Sequence, residues 1–408
     1  MRVLHTSDWH LGKRLEQCER TDEHQHFLDW LVQTIQEQQI ELLVIAGDIF
    51  DTGSPSNTAL KQYYDFLWHM RQTCCRDIVI IGGNHDSVST LNAPKELLRY
   101  FNVHVVGGAT ATIQEEIIPI TDKTGQVQLV VCAVPFLRDK DIRLSVPGET
   151  YEEQEARLKR GICAHYEELV QHIQPYKQQQ IPVLATGHLF AAGGSASDSE
   201  KEIHVGNLGQ ICGDQFPLEF DYVALGHLHR PQKVNGFQHI RYSGSPIPLS
   251  FSEVEDRKII LILDFEEGQL KQLEEIEVPV CRKLIRFKGD LDKIRTHLTT
   301  FDNGTHTYPA WAEIQVETEN FIHDLENQLA GFLQDKNHLQ IIFSRQTRLI
   351  AQQTLDTQLP EMQSLHELLP KEVFRKKCES TFPTEDNYDD LLLAFDELME
   401  LMHQQEGT

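Results

Sequence analysis

No stretch of this sequence is apolar for anything like the roughly 18 residues that a membrane span requires. The first residues do not read as an export signal either, because Asp8 and His10 interrupt any apolar region almost at once. Cysteine is present without a pattern: eight residues are scattered, none in a CxxC pair, and Cys74 and Cys75 are adjacent. That argues against a zinc knuckle and against a disulfide framework, and reduced cysteines without an export signal point to the cytoplasm. Positive charge is scarce. Against 62 acids stand 37 lysines and arginines, a net charge of −25, whereas a nucleic-acid binder usually carries a basic balance. Any affinity for DNA would have to come from local patches, from metals or from a partner. A GxxxxGK[ST] loop is missing too, so the chain lacks the phosphate cradle of an ATPase. With 40% hydrophobic and 24% charged residues the composition is ordinary for a globular protein. Its 408 residues are enough for two or three domains.

What is present is a set of five short apolar runs, each ending in a residue type that binds metals. Val3-Leu4 leads into Thr6-Ser7-Asp8-Trp9-His10, Leu42 to Ala46 into Gly47-Asp48, and Ile78 to Ile81 into Gly82-Gly83-Asn84-His85-Asp86. Val183 to Ala185 leads into Thr186-Gly187-His188, and Tyr222 to Leu225 into Gly226-His227-Leu228-His229. Apolar runs of this length, rich in Val, Ile and Leu, read as strands buried on both faces. Ligands at successive strand ends are expected to converge on one edge of one sheet. Asp, Asn and His without Cys suit hard to borderline divalent ions, and a shared carboxylate can bridge two of them. Asp48 is placed to be that carboxylate, with Gly47 allowing close approach. Asn84 offers a neutral oxygen, and His85 beside it is left for proton chemistry. Asp86 is expected to orient that imidazole and raise its pKa. Taken singly, His10 or His188 reads as an ordinary satisfied polar residue, Asp48 as a cap and Asp86 as an Asx-turn. All five blocks in order, each at a strand end, do not.

Between the blocks, Phe27, Leu28, Leu31, Val32 and Ile35 predict a helix over 22–38, and Leu60, Tyr63, Tyr64, Leu67 and Met70 a second over 57–73. Alternating strand and helix is the pattern of a parallel sheet built from βαβ units. Residues 103–134 read as strands with turns at Gly107-Gly108 and Thr124-Gly125, and 151–174 as a helix ended by Pro175. Later strands at 239–243 and 258–265 fit the outer strands of a second sheet. Residues 1–280 thus read as one α/β sandwich domain and 281–345 as a small α+β domain. The segment 346–408 reads as polar and helical, with Tyr388, Leu391, Leu392, Phe395, Leu398, Met399 and Met402 forming an apolar stripe.

Leu4-His5-Thr6-Ser7-Asp8-Trp9-His10-Leu11-Gly12, Ala46-Gly47-Asp48-Ile49-Phe50-Asp51-Thr52-Gly53 and Tyr242-Ser243-Gly244-Ser245-Pro246 resemble the SbcD family within the calcineurin-like metallophosphoesterase superfamily. Its members are nuclease subunits of bacterial SbcCD complexes, related to the break-repair nucleases of archaea and eukaryotes. The likeness runs along the whole chain, strongest before residue 265 and weakest in the C-terminal tail. It implies a two-sheet metallophosphoesterase sandwich flanked by helices, with a small α+β capping domain and a helical C-terminal segment. Asp8, His10 and His229 would hold one metal and Asn84, His188 and His227 the other, with Asp48 shared, and the metal would be manganese. His85 would protonate the leaving 3′ oxygen. Relatives in archaea and eukaryotes carry a histidine three positions after the bridging aspartate, where this chain has Asp51. No DNA-handling role carries over, and Asp51 reads as a loop residue rather than as an acid behind the site.

The resemblance further implies 3′→5′ exonuclease action on duplex ends and endonuclease action on single strands and hairpins, in DNA repair, replication and recombination. ATP would be hydrolysed by a coiled-coil SbcC-type ATPase, docked on the C-terminal helices. The nuclease would be a homodimer within a heterotetramer or larger assembly, in the cytoplasm on the nucleoid and without membrane contact. Lys13, Arg14 and Arg20 after the first block, Arg138, Lys140 and Arg143 further on, and the Ser243-Gly244-Ser245 turn are candidate phosphate contacts. Gly193 to Ser197 reads as a mobile loop. Two other functions fit the ligand blocks: a phosphoesterase acting on small molecules or phosphoproteins, and a metal-binding scaffold without catalysis. The second is disfavoured because His85 and every expected ligand are present.

Overall fold

Side chains alternate faces along a strand, and the strand Leu42–Ala46 is covered on both. Leu43 and Ile45 pack beneath helices, whereas Leu42, Val44 and Ala46 face a second sheet. The computed structural model describes residues 1–142, 150–191, 211–318, 321–333 and 337–348, with Phe374, Leu391, Leu392, Ala394 and Phe395. Two compact units result, Met1–Thr347 and Arg348–Thr408.

In the first unit a six-stranded sheet runs in the order Gln269–Glu277, Ile259–Glu266, Arg2–Thr6, Leu42–Ala46, Asp77–Ile81, Val103–Val106. The last four strands are mutually parallel. The second sheet runs Gln232–Lys233, Ile240–Tyr242, Tyr222–Gly226, Val183–His188, Val127–Cys132, Ile117–Thr121, with a parallel centre. Val3, Val44 and Val79 from the first sheet meet Val131, Leu184 and Ala224 from the second in a continuous apolar layer. Helices Thr21–Glu37 and Asn57–Met70 cover the outer face of the first sheet, where Trp9 packs edge-on against Phe27 and Phe66. Tyr151–Gln178 covers the second. This is the expected two-sheet sandwich flanked by helices.

Two local expectations change. The strand at 258–265 belongs to the first sheet, not the second: it pairs antiparallel with the first strand, Arg2 opposite Asp264. Ile260 and Ile262 join the helix-side core while Leu263 and Phe265 join the layer between sheets. A strand apolar on both faces needs an interior place, and the hairpin partner Gln269–Glu277 serves as the polar edge. The third large helix does not stop at Pro175 but continues to Gln178. Proline removes one hydrogen bond there, in the last turn, where Ile173 and Tyr176 pack into the core.

A three-stranded sheet, Leu284–Gly289, Ala310–Thr318 and Leu339–Arg348, with helices Leu291–Thr300 and Leu325–Phe332, has its own core around Ile294, Leu298, Ile314 and Leu329. Leu284 and Trp311 join it to Leu15 and Phe251 of the sandwich. Beside them lies a buried ion cluster: Glu23 is 2.8 Å from Arg20 Nη2 and 3.2 Å from Arg282 Nε, and Arg282 stacks over Trp311 at 4.1 Å. Arg20 is therefore an interior fastening and not part of the site mouth. Arg143, the 193–197 stretch and most of the C-terminal stripe lie outside the described residues. In the second unit the Phe374 and Phe395 rings stack at 4.3 Å. No helix among the described residues is long and apolar enough to cross a membrane.

Candidate metal centre

The ligand-bearing strand ends belong to two facing sheets rather than to one. Arg2–Thr6, Leu42–Ala46 and Asp77–Ile81 deliver their loops from the first, Val183–His188 and Tyr222–Gly226 from the second. The loops are stitched together across the top of the sandwich. Asp8 N–H donates to Gly47 O and His10 N–H to Asp48 O, both at 3.0 Å. His227 N–H donates to Asp8 Oδ1 and His85 N–H to Asp48 Oδ1, both at 2.9 Å. This network holds four non-glycine residues at positive φ: Asp8 at 53°, His10 at 46°, Asp48 at 50° and His227 at 102°. Such backbone costs about 1–3 kcal/mol per residue and persists only where the surroundings over-determine it. Two glycines make room. A Cβ on Gly47 would lie 2.3 Å from His188 Nδ1, and one on Gly226 would lie 1.9 Å from Ala46 O, so side chains there would push the sheets apart.

Two donor clusters result. In one, ligand atoms of Asp8, His10 and His229 lie within 4.8 Å of one another, and in the other those of Asp48, His188 and His227 do the same. Asn84 Oδ1 completes the second cluster, 3.0 Å from His188 Nε2 and 3.1 Å from His227 Nδ1. One oxygen faces both: Asp48 Oδ2 is 3.2 Å from His188 Nε2 and 3.5 Å from His10 Nε2. Both ring nitrogens of His10 are buried without a hydrogen-bond partner. Two buried carboxylates, orphaned imidazole nitrogen and a set of oxygen and nitrogen donors fit divalent cations.

Charge in the site is set by burial and by neighbours. Burial pushes the Asp8 carboxyl up to about 8, with the His188 charge opposing. Burial also opposes ionisation of Asp48, but His188 and His10 beside it hold its carboxyl far below the usual range. Burial would lower His188, yet the Asp48 and Asp8 charges raise it to about 9. These directions fix how the metal-free protein responds to pH. Protonated His188 stabilises the fold fully below its ordinary 6.5, and that contribution is lost as pH rises through 9. Ionising Asp8 adds a cost that grows above 3.8 and is complete beyond 8. In chelator, calorimetric melting temperature is therefore expected to fall between about pH 6 and pH 9, and the gain from added divalent cation to be larger at the upper end. A melting temperature that climbed with pH in chelator would contradict the assigned proton on His188.

A family model described as calcineurin-like phosphoesterase matches residues 1–231, and one described as type 5 capsule protein repressor C-terminal domain (SbcD_C) matches residues 280–382. The SbcD component of nuclease SbcCD from Escherichia coli (strain K12) is 37% identical over 378 residues, covering 92% of each chain. The same component from Bacillus subtilis (strain 168) is 32% identical, covering 85% of this chain and 87% of its own. The chain belongs to the SbcD family. It is accordingly a metal-dependent phosphoesterase.

Around the donor clusters of this SbcD-family enzyme several expected roles change. Asp86 does not touch the His85 ring. Its buried carboxylate accepts main-chain N–H groups from Gly83 at 2.9 Å, Phe50 at 3.0 Å and Ile49 at 3.1 Å. Burial and the charge of Asp48 raise it to about 6. The His85 ring is anchored instead by the main chain, with Nδ1 at 2.6 Å from Asp51 O. Asp51 is more than a loop residue: its Oδ1 lies 3.4 Å from His10 Nδ1 and 3.2 Å from Lys13 Nζ. Burial opposes its ionisation, but His10 and Lys13 bring it down to about 2. Lys13 is thus paired, and of the three basic residues after the first block only Arg14 is exposed.

Ser243 and Ser245 are fully buried and cannot reach a phosphate. Ser243 Oγ meets Ser7 Oγ at 2.9 Å, and Ser7 in turn donates to Asp8 Oδ2 at 2.5 Å. Ser245 N–H donates to His229 O at 3.1 Å, and its hydroxyl donates to Ile247 O at 2.9 Å. The turn shapes the ligand loops from behind. Sequence reasoning missed Glu253 and Lys258, a buried pair at 2.6 Å whose acid stands 3.3 Å from His229 Nδ1. Nothing local marks them, since Ser252-Glu253-Val254-Glu255-Asp256-Arg257-Lys258 reads as a charged surface loop.

Proposed function

We propose that this protein is the manganese-dependent DNA nuclease of an SbcCD-type complex, with 3′→5′ exonuclease action on duplex ends and endonuclease action on single strands and hairpins. In that role it processes hairpins and blocked ends during repair, replication and recombination. The observation that carries the reading is the convergence of seven oxygen and nitrogen donors with an anchored histidine beside them. Asp8, His10 and His229 would hold one ion and Asn84, His188 and His227 the other, with Asp48 facing both groups. Divalent ions bound there would supply Lewis-acid chemistry at the phosphate and at an attacking water. Manganese suits this mixture of carboxylate, amide and imidazole donors. His85, held at Nδ1, keeps Nε2 for the proton that the leaving 3′ oxygen takes.

Residues 1–280 act in this reading as the nuclease domain, 281–345 as a cap that selects DNA shape, and 346–408 as the docking segment for a coiled-coil SbcC-type ATPase. The separate core of the three-stranded sheet supports the second assignment, and the apolar stripe from Tyr388 to Met402 the third. A homodimer within the larger assembly is supported by an aromatic face. Trp68 and Tyr100 are 59% and 86% exposed, and Arg71 lies 5.2 Å above Trp68 and 4.5 Å above Phe101. Isolated surface aromatics are ordinary, but a contiguous apolar face marks a contact. The cytoplasm, on the nucleoid, is where such a substrate lies.

An end-labelled hairpin duplex and a chromogenic phosphomonoester, each with Mn²⁺, test the reading directly. Hairpin cleavage without monoester turnover is the expected result. Turnover of the monoester with intact DNA, even after adding the ATPase partner and ATP, would move the protein to the phosphatase branch. A chain ending at Thr347 is expected to cleave but no longer to co-elute with the partner, and co-elution would remove the docking assignment.

A further inference from the structure

Two phenylalanine rings border the donor clusters, and nothing in the chemistry described so far uses them. Phe136 stands edge-on to His188, 6.3 Å between ring centroids at 89°, and Phe190 stands edge-on to His227, 6.4 Å at 74°. The two histidines are 5.3 Å apart and belong to one cluster, with Asp48. Both phenylalanines lie just past strands of the second sheet, Phe136 beyond Val127–Cys132 and Phe190 beyond Val183–His188. Phe136 N–H donates to Gly82 O at 2.8 Å, which fixes it against the loop that carries Asn84.

Exposure sets these two apart from the other aromatic residues of the ligand loops. Trp9 and Phe50 are buried, packed edge-on against Phe27, Phe66 and Tyr63. Phe136 and Phe190 are only half-buried. Phe190 leans on the core of the second sheet, whereas Phe136 joins none of the apolar clusters among the described residues. Leaving a ring partly in water forgoes part of the gain of burial. A single half-exposed aromatic residue is ordinary, but two beside the ligands of one metal cluster stand where the substrate must come.

The charge of the chain narrows what they meet. At a net charge of −25 the protein as a whole repels a phosphate backbone. A nucleobase needs no cation: every base has a face that stacks on an aromatic ring, whatever the sequence. Inside a duplex both faces are covered by neighbouring bases, so only an unpaired or frayed base can turn one to the protein. We propose that Phe136 and Phe190 are base-stacking residues that hold an unpaired nucleotide beside the scissile phosphate. The proposal rests on the nuclease reading and names what that site selects: a base without its partner, as in a single strand, a hairpin loop or a frayed end.

End-labelled single strands, each carrying one abasic residue, test this when cut by the full-length protein with Mn²⁺ and mapped phosphate by phosphate. In the wild type, cleavage next to the abasic residue is expected to fall about 5–100-fold below cleavage of the same phosphate in the intact strand. Phe136→Leu/Phe190→Leu should abolish that difference, and Phe136→Trp/Phe190→Trp should keep it. Leucine preserves an apolar wall, so rings that only shield the metals would leave the ratio between the two strands unchanged. Should the double leucine variant fail to cleave, the two single variants are read in the same way, each losing part of the difference. A wild type that cuts both strands equally, or a difference undiminished in the leucine variants, overturns the proposal and leaves the nuclease reading in place. A wild type that cleaves no DNA, even with the ATPase partner and ATP, overturns that reading and this proposal with it.

Discussion

Replacing His85 with alanine is expected to slow hairpin cleavage by about 10²–10⁴-fold, the usual contribution of a positioned acid or base, with Mn²⁺ affinity unchanged. The geometry separates this histidine from its neighbours. Its Nδ1 lies 2.6 Å from Asp51 O, an oxygen that can only accept, so Nδ1 carries a hydrogen and the ring is fixed with Nε2 turned away. Nε2 is buried and has no hydrogen-bond partner. The ring sits edge-on to His10, 4.7 Å between centroids, so it borders the clusters without joining the two that hold Asp8 and Asp48. A nitrogen kept unpaired at that position is suited to a substrate oxygen. Single-turnover cleavage of the labelled hairpin, with parallel Mn²⁺ titration, separates the outcomes. Cleavage retained in the variant would remove the acid role, and loss of metal binding would recast His85 as a ligand.

Asp86→Ala should act on the fold and only through it on the chemistry. Three buried main-chain N–H groups, of Gly83, Ile49 and Phe50, point at this one carboxylate. Leaving a buried donor unsatisfied costs about 1–3 kcal/mol, so removing the acceptor for all three is expected to cost about 3–6 kcal/mol, a large share of the stability of an ordinary domain. The groups belong to the loops that carry Asp48 and Asn84, so the loss falls on the placement of those two donors relative to each other. Urea unfolding in chelator measures it. Asp86→Asn keeps one carbonyl oxygen and should recover part of the difference. If Asp86→Ala unfolded like the wild type but cleaved slowly, Asp86 would be acting on His85 after all.

How much of this was legible beforehand differs from residue to residue. The seven donor residues, the strands that lead to them and His85 could be read from the chain, because each block is a local pattern: an apolar run with a ligand type at its end, in four of the five through a glycine. The helices at 21–37 and 57–70 were legible for the same reason, since 3.6-residue periodicity is written in consecutive residues. The partners of those donors were not. Asp86 and Asp51 sit beside His85 and Asp48 in the sequence, yet which of them meets the imidazole depends on loop geometry that places Asp51 O against Nδ1 and turns Asp86 toward three amides. Ser243, Ser245 and Lys13 carry the right chemistry for phosphate, but their burial or pairing is a property of what the fold stacks on them.

Sequence alone thus determined the kind of site and the chemistry open to it, since donor identity and strand-end spacing are local and survive without knowing where the strands go. Only the tertiary structure decided that two sheets rather than one supply the donors, that the strand Ile259–Glu266 closes the first sheet, and that Glu253 and Lys258 stand behind His229. Those are contacts between residues tens to hundreds of positions apart. They are selected by packing both faces of each strand and by pairing every buried charge, and no local pattern encodes either.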